Sequence, residues 1–298
     1  MATKKPTTNN SKTPAAKGRP AGLLTWVTAG VAVVIVAVLV ILNVTKSSPS
    51  QNDTSGATTS SAIVSQLASI PASTFNTVGV TSSVIPVTAP QVFSGKPALT
   101  YKVNGKSLPG VFYDGAEYCP YCAAERWSLI AALDRFGSFS GLTNMSSSAT
   151  DYAPNTPTFS FLKATYSSKY IVFTSVESQD VNRNPLQTPT ALESALIVKY
   201  DTAKYFPGLA GSSGNPIPFM SFANQFLVSG ASYDPGVLSG QTREQIAAGL
   251  KSPSSPITQA IIASANYQTA AICTLTGGKP GKVCSSKGVK AAAKKMGL

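Results

Sequence analysis

One uncharged segment, residues 23–44, limits most strongly what this chain can fold into. It reads LLTWVTAGVAVVIVAVLVILNV, 22 residues without a charged side chain. As a helix it would extend roughly 33 Å, enough to cross a hydrocarbon core of about 30 Å. A cleaved signal peptide is the alternative, but its apolar region is usually about 7–15 residues long and ends at a small-residue cleavage site. We therefore predict a single transmembrane helix here, with the lipid bilayer as a partner.

The charges that flank this segment predict its orientation. Only Lys46 follows it closely, whereas residues 1–22 contain no acidic residue and five basic ones: Lys4, Lys5, Lys12, Lys17 and Arg19. Because basic residues are retained on the cytoplasmic side of a membrane, we expect residues 1–22 to be a disordered cytoplasmic tail. The rest of the chain is then extracytoplasmic, in a single-pass protein of the cell membrane.

The net charge of +12 lies almost wholly at the two ends of the chain. Residues 1–20 and 279–298 hold eleven basic residues and no acidic one, whereas the rest of the chain holds 13 basic and 12 acidic residues. A nucleic-acid-binding domain is expected to carry a basic face within its fold, so we expect no nucleic-acid partner. Residues 279–298 are expected to form a solvated basic tail.

Composition separates a linker from a folded domain between these ends. Residues 45–61 are rich in Ser and Thr, which is typical of a flexible tether. Residues 62–278 alternate between strand-like and helix-like patterns, which predicts an α/β layer fold. Asn104-Gly105 between two apolar runs predicts a β-hairpin. Periodicity further predicts strands at 139–145, 159–164, 170–176, 218–223 and 225–229, with the second and third paired, and helices at 190–200, 242–250 and 257–275.

The most informative motif is Cys119-Pro120-Tyr121-Cys122, which opens a predicted helix that ends near Gly137. The spacing brings the two sulfurs close enough to form a disulfide across the first helical turn. A helix N-terminus also stabilises a thiolate, and such motifs lower a cysteine pKa from about 8.5 to between about 3.5 and 7.5. Because the thiolate is the attacking species in disulfide exchange, Cys119 is the predicted nucleophile and Cys122 the predicted resolving thiol.

Two other interpretations of this motif stay open. Cys119 and Cys122 can join Cys273 and Cys284 in a structural zinc site, although the second pair is separated by ten residues instead of the usual spacer of about two to four. The first pair can also be an inert structural disulfide, although a bridge across so small a loop restricts the unfolded chain little. The chain contains no histidine, so histidine-based catalysis and histidine metal ligands are excluded. We expect the redox role and no bound metal.

Carboxylates and aromatic residues surround the motif in the sequence. Asp114 and Glu117 are candidate proton shuttles for the resolving step, and solvated loop carboxylates are the alternative. Tyr121 is expected at the substrate-binding surface. Trp127 is expected in the core and Arg126 on the surface of the helix.

The two remaining cysteines, Cys273 and Cys284, are separated by ten residues that include Gly277, Gly278 and Pro280. An even number of cysteines in an oxidising compartment favours a structural disulfide. Across this loop the bond would stabilise the fold by roughly 2–3 kcal/mol. A relay that passes electrons to Cys119 is the alternative.

The chain resembles the thioredoxin superfamily over roughly residues 98–275. The matching parts are the strand that leads into the Cys119–Cys122 motif, the long helix after it, and Ile217-Pro218 before a strand hairpin. The resemblance implies a thioredoxin-like fold in which the equivalent proline is cis and faces the redox pair, so that Ile217 and Pro218 line a substrate groove. Against that fold, residues of about 147–205 are an insertion.

The region from Glu117 to Trp127 resembles a narrower family, the thioredoxin-like domain of unknown function 929, with its Glu-x-Cys-Pro-x-Cys-Ala-x-x-Arg-Trp pattern. The combined features predict a membrane-anchored thiol–disulfide oxidoreductase that oxidises, reduces or isomerises exported proteins. Its expected partners are the thiols or disulfides of those proteins and a membrane or extracytoplasmic redox partner, with no cofactor. The alternative is a non-catalytic binding or scaffold module of the cell envelope that keeps the fold and its disulfides.

Overall fold

The computed structural model describes Met1 and residues 55–82, 85–93, 95, 97–209 and 215–298. The predicted cytoplasmic tail apart from Met1, the membrane helix and most of the linker lie outside the described residues and stay predictions. Within the described part of the chain, no helix combines the length and the apolar character needed to cross a bilayer.

The described residues form ten strands and eight α-helices. The strands are β1 (Gln91–Val92), β2 (Thr100–Val103), β3 (Lys106–Gly115), β4 (Gly137–Ser140), β5 (Thr143–Ser146), β6 (Pro157–Ser160), β7 (Thr165–Ser168), β8 (Val172–Glu177), β9 (Phe219–Phe222) and β10 (Phe226–Ser229). The helices are α1 (Ser61–Ala68), α2 (Ala72–Val78), α3 (Pro120–Leu133), α4 (Ala191–Tyr200), α5 (Arg243–Gly249), α6 (Pro256–Leu275), α7 (Gly281–Cys284) and α8 (Lys287–Met296).

Six of these strands form one mixed sheet around the long strand β3. In order the sheet runs β1–β10–β9–β3–β2, and β8 also pairs with β3. β2 pairs with the first part of β3, from Lys106 to Pro109, and β8 lies parallel to its second part, from Gly110 to Gly115. β9 runs antiparallel along the other side of β3. The prediction of an α/β fold is thereby confirmed.

Side chains that alternate along the strands belong to two cores, one on each face of the sheet. Val111 and Tyr113 of β3 point into the larger core, together with residues of α3 and α6. Phe112, between them, packs with Phe219 of β9 and Leu196 of α4 in the smaller core. Because successive strand residues point to opposite faces, the sheet lies between a layer that contains α3 and α6 and a layer that contains α4.

Helix α3 lies inside the larger core and not at its surface. Thirteen of its 14 residues are buried, and the exception is Tyr121. The helix packs against α6, strand β6 and the 3₁₀ turn Pro235–Leu238. A helix covered on every side has no solvent face for charges, so its charged residues need buried partners.

Several local elements form where the sequence predicts them. Asn104 and Gly105 have φ angles of 47° and 78° and connect β2 to β3, as expected for a two-residue hairpin turn. The Thr190 hydroxyl accepts a hydrogen bond from the Glu193 N–H, and the Glu193 carboxylate accepts one from the Thr190 N–H. This reciprocal cap starts α4 within the predicted range. The β9–β10 hairpin and helices α5 and α6 also lie where periodicity places them.

The chain between β4 and β8 folds differently from the prediction. The strand expected at 139–145 is divided at Gly141, with a φ of 73°, into β4 and β5. β4 pairs with β7 and β5 pairs with β6, so the predicted pairing of 159–164 with 170–176 is wrong. A Cβ at Gly141 would lie 2.5 Å from the carbonyl oxygen of Lys163, which explains why the chain turns at a glycine.

Residues 147–205, expected to be an insertion, supply parts of the main architecture. They contain β8, the parallel neighbour of β3, and α4, which covers one face of the sheet. A parallel partner strand comes from distant residues, and its pairing leaves no local sequence signal. The folded region also begins earlier than expected, because Gly56 and Thr58 of the predicted linker pair with β5.

The C-terminal residues, expected to be a solvated tail, form the helices α7 and α8. Helix α8 packs against α2 and α6 and buries Val289, while its lysines stay exposed. The N–H of Gly288 donates to the side chain of Asn76, and a Cβ at Gly288 would lie 2.3 Å from the carbonyl oxygen of Phe75. Apolar and small residues between the lysines therefore hold this segment on the fold.

Candidate active site

Cys119 and Cys122 lie where β3 has ended and α3 begins. Cys119 is the N-cap residue of α3 and Pro120 is its first helical residue, a position where proline is favoured because its missing N–H is not needed. The backbone N–H of Cys122 donates to Cys119 Sγ across 3.3 Å. Both cysteines are free thiols; Cys119 is 5% exposed and Cys122 is fully buried. The sulfurs thus occupy the helix N-terminus that the sequence predicts.

The surroundings of the two sulfurs favour opposite protonation states. A hydrogen bond from the Cys122 thiol lowers the pKa of Cys119, and backbone N–H groups and the Arg126 guanidinium act in the same direction, against the effect of burial. Burial raises the pKa of Cys122 well above its usual range, and the hydrogen bond to Cys119 adds to this effect. Cys119 is therefore the more acidic thiol, as a nucleophile requires, and Cys122 is held protonated.

The segment before β9 forms one side of the site. The Cys119 thiol donates to the carbonyl oxygen of Ile217, with 3.7 Å between sulfur and oxygen. The Ile217–Pro218 peptide bond is cis, as the resemblance implies. Pro218 is buried, whereas Ile217 is only partly covered. The structure therefore brings the Ile217–Pro218 segment, predicted to line a groove, next to Cys119 through the Ile217 carbonyl.

Aromatic side chains lie near Cys119. Tyr121 is 40% exposed and stacks on Tyr152, with 5.9 Å between the ring centroids. The Tyr152 hydroxyl donates to the carboxylate of Asp234 across 3.1 Å. Next to Cys119 in the chain, the ring of Tyr118 is covered by the Arg183 guanidinium at 3.7 Å. Tyr121 thus lies at the surface expected to meet a substrate, but Tyr152, Tyr118 and Arg183 were not expected there, because they reach it from loops or through long-range contacts.

Arg183 also lines a polar cavity of about 480 Å³ beside this surface. Ser148, in the cavity wall, donates its backbone N–H to the carbonyl oxygen of Tyr118. The cavity therefore borders the residue that immediately precedes Cys119, and hydroxyl and amide groups form most of its wall.

The two candidate proton shuttles are buried and not solvated. Asp114 follows Phe112 on the same face of β3, opposite α3, and burial raises its pKa to about 7, with Asp201 adding to the shift. The structure does not bring it to the cysteines. Glu117 accepts a hydrogen bond from the Ser160 hydroxyl at 2.6 Å, and burial raises its pKa.

Arg126, expected at the surface, is fully buried and forms an ion pair with Glu177 at the end of β8. Its Nε and Nη2 atoms donate to the two carboxylate oxygens at 3.0 and 2.6 Å. One feature of the sequence does indicate this burial: the helix has no polar stripe on which a charged side chain could face solvent. Its partner could not be identified from the sequence, since Glu177 lies 51 positions further on.

A further buried carboxylate, that of Glu125, connects α3 to the chain that follows β10. It accepts a hydrogen bond from the Ser232 N–H at 2.7 Å and another from the side chain of Gln268 in α6 at 2.5 Å. Burial raises the pKa of Glu125 to about 7, although these hydrogen bonds oppose the shift. The Glu125 carboxylate therefore connects α3, α6 and the segment that follows β10.

The other two cysteines form a disulfide between Cys273 and Cys284, with 5.5 Å between their Cα atoms. The predicted bond between Cys273 and Cys284 is thereby confirmed. The four-cysteine zinc site is wrong, because two of its four sulfurs are bonded to each other. Among the described residues, no group of three or more potential ligands could hold a metal ion.

Comparison with known proteins gives one match. A family profile described as "Domain of unknown function (DUF929)" matches residues 98–274, more than half of the chain. The matched region includes Cys119, Cys122 and the Ile217–Pro218 segment. No curated protein and no solved structure matches the chain.

Proposed function

This chain belongs to the family described as Domain of unknown function (DUF929), and we propose that it is a membrane-anchored thiol–disulfide oxidoreductase acting on exported proteins. The observation that carries the proposal is the asymmetric pair of free thiols at the start of α3. Cys119 has a lowered pKa and contacts the Ile217 carbonyl, whereas Cys122 has a raised pKa and no exposure. A reactive thiolate beside a protected second thiol is the arrangement that disulfide exchange requires.

We also propose that the domain has a thioredoxin-like fold. The order β3–α3–β8–α4–β9–β10–α6 supports this assignment, because β3 and β8 are parallel while β9 and β10 are antiparallel. The placement of α3 and α6 on one face and α4 on the other supports it as well. In this interpretation β5, β6 and the paired β4 and β7 are additions between α3 and β8.

The proposed reaction has two exchange steps. In the reducing direction, the Cys119 thiolate attacks one sulfur of a substrate disulfide, and the other substrate sulfur leaves with the electron pair and takes up a proton. Cys122 then loses its proton and attacks Cys119 Sγ; the Cys119–Cys122 disulfide forms, and the bound substrate sulfur leaves with the electron pair of the broken bond and takes up a proton. The substrate gains two electrons, which the cysteine pair loses. A pair of thiols of a redox partner restores the reduced pair and becomes a disulfide itself, and the same steps in reverse oxidise a substrate.

The location of the reaction follows from the predicted anchor and the disulfide. The positive-inside rule puts residues 45–298 outside the cytoplasm, and the Cys273–Cys284 bond suits an oxidising compartment. Exported proteins with cysteines are therefore the proposed substrates, and the proposed redox partner lies in the membrane or outside the cytoplasm.

One observation favours the scaffold alternative. Cys119 is only 5% exposed, so its sulfur offers little surface to a protein substrate. A binding module with unreactive cysteines would need no more exposure than this.

The experiment that separates the two is insulin reduction by the full chain in detergent with dithiothreitol as reductant. We expect turnover that is lost in Cys119→Ser and stalled as mixed disulfides in Cys122→Ser. The double variant Cys273→Ala/Cys284→Ala, which lacks only the other disulfide, should keep the activity. Insulin reduction by the intact chain no faster than by Cys119→Ser would reject the enzyme and favour the scaffold.

A further inference from the structure

Two buried hydrogen-bond donors beside the redox pair have no acceptor. They are Nη1 of Arg126 and the hydroxyl of Tyr113, and neither has a hydrogen-bond partner among the described residues. Both side chains are fully buried. Because a buried donor without an acceptor destabilises a fold, such groups need an explanation.

The guanidinium of Arg126 is held in one orientation. Nε and Nη2 donate to Glu177, and Nη2 also donates to the carbonyl oxygen of Ala116 at 2.9 Å. Arg126 follows Cys122 by four positions in α3, so the two side chains are neighbours on one face of the helix. The nitrogen that remains without an acceptor therefore belongs to a rigid cation next to the resolving sulfur.

The phenol of Tyr113 approaches the same place from the sheet. The Arg126 guanidinium lies 5.6 Å from the centre of its ring. Its hydroxyl extends over Gly115, where a Cβ would lie 2.2 Å from the oxygen, so only glycine permits this position. Burial raises the pKa of Tyr113 well above its usual range, and the hydroxyl therefore remains a donor.

We propose that Nη1 of Arg126 and the hydroxyl of Tyr113 form an anion-stabilising site for the sulfur of Cys122 during the resolving step. The inference rests on the proposed function and assigns these residues a part in it. Burial holds Cys122 protonated, and neither donor has an acceptor among the described residues. When Cys122 becomes a thiolate, its negative charge attracts both donors, in the manner of donors preorganised for a charge that develops during a reaction.

The charges around Cys122 agree with this assignment. The groups that face it are Cys119 and Arg126 from α3 and Tyr113 from β3, while Glu177 from β8 and Glu117 act through their interactions with Arg126. Burial and the neighbouring Cys119 raise the pKa of Cys122, whereas Arg126 and, to a smaller extent, a hydrogen bond from the Ala116 backbone lower it. Without the site, the Ala116 backbone would be the one group of these that offsets the burial of the resolving sulfur.

Ellman's reagent isolates this step without a protein substrate. Cys119 attacks the reagent and forms a mixed disulfide with one thionitrobenzoate, while the other thionitrobenzoate leaves with the electron pair of the broken bond. Cys122 then loses its proton to solvent and attacks Cys119 Sγ; the Cys119–Cys122 disulfide forms, and a second thionitrobenzoate leaves with the electron pair of the broken bond. The rate of this second release, followed against pH in the full chain, reports the ionisation of Cys122.

The decisive variant is Tyr113→Phe, which removes only the unpartnered hydroxyl. We expect its melting temperature to stay unchanged or rise, while the second release slows about tenfold at pH 7 and its midpoint moves up by about one pH unit. The matched control is Tyr233→Phe. Tyr233 is also buried, but its hydroxyl donates to the Ala124 carbonyl at 2.6 Å, so this variant should melt earlier with an unchanged release profile.

A second variant tests the cation. Arg126→Met alone would leave Glu177 as an uncompensated buried charge, so Arg126→Met/Glu177→Leu removes the whole ion pair. We expect its release midpoint to rise further than that of Tyr113→Phe. If the wild-type chain releases the second thionitrobenzoate and Tyr113→Phe releases it with the same pH profile, the anion site is overturned and the proposed function stands. No second release by the wild-type chain would overturn both.

Discussion

The sulfur of Cys119 lies 3.7 Å from the carbonyl oxygen of Ile217, a residue 98 positions later in the chain. The contact joins the start of α3 to the segment before β9. A peptide bound at Cys119 would therefore run beside Ile217, whose side chain is only partly covered.

This contact predicts that a bulky charge at Ile217 hinders protein substrates selectively. For Ile217→Arg we expect the KM for insulin to rise several-fold, because the long side chain would obstruct the approach of a protein substrate to Cys119. The first reaction of Cys119 with Ellman's reagent should change little, since that reagent is small. A parallel loss of both reactions would mean that the variant disturbs the thiol itself and not the groove.

The second prediction concerns the acidity of the two thiols. The Cys122 thiol, the helix N-terminus and Arg126 lower the pKa of Cys119, so its alkylation by iodoacetamide should reach half of its maximal rate below pH 8.5, the usual value being about 8.5. Mass spectrometry should locate the label at Cys119 and not at the buried Cys122. A midpoint at or above the ordinary value would contradict a specialised nucleophile.

The third prediction concerns stability against pH. Burial raises the pKa of Glu125 to about 7 in the folded protein, above its value of about 4.3 in the unfolded chain. The folded state then binds more protons between these values, so its stability is greatest at low pH and is lost as the pH rises towards 7.

We therefore expect the free energy of unfolding in urea to be smaller at pH 8 than at pH 5. Glu125→Gln should reduce that difference by about 2–3 kcal/mol, because it removes one of the titrating groups. Asp114, whose pKa is also raised to about 7, should keep part of the pH dependence in this variant. An undiminished difference in Glu125→Gln would show that this carboxylate does not titrate in the range.

The fourth prediction tests the packing of α8 on α2. Gly288→Ala places a Cβ 2.3 Å from the carbonyl oxygen of Phe75, and we expect a loss of about 1–3 kcal/mol of stability as the helices separate. The matched control is Gly281→Ala in α7, where a Cβ meets no atom within 4 Å. Equal unfolding free energies for the two variants would contradict the close contact.

Local chemistry made part of this molecule predictable from its sequence. The hairpin at Asn104-Gly105, the helix that opens at Cys119 and the disulfide at Cys273 each depend on neighbouring residues or short spacings. The positions that were missed depend on distant ones. Arg126 has a side chain of the type usually found at the surface. Its burial is explained by its ion pair with Glu177, at the end of the strand β8 that lies parallel to β3.

Asp114 shows a related difficulty. Its proximity to Cys119 in the sequence suggested a role in proton transfer, but strand alternation turns its side chain to the other face of the sheet. The residue of β3 that is buried on the face towards α3 is Tyr113, the direct neighbour of Asp114. A shift of one position in a strand thus exchanges a carboxylate for a phenol at the site.

The contact of α8 with α2 has a consequence for anyone who shortens this protein. Both helices lie outside the matched residues 98–274, yet each covers apolar side chains of the other and of α6. Cutting the chain at the limits of the match would remove α2 and α8, with their buried Val78 and Val289, and would leave Cys273 without Cys284 as its disulfide partner. The smallest piece that can be expected to fold alone therefore runs from about residue 56 to the last turn of α8.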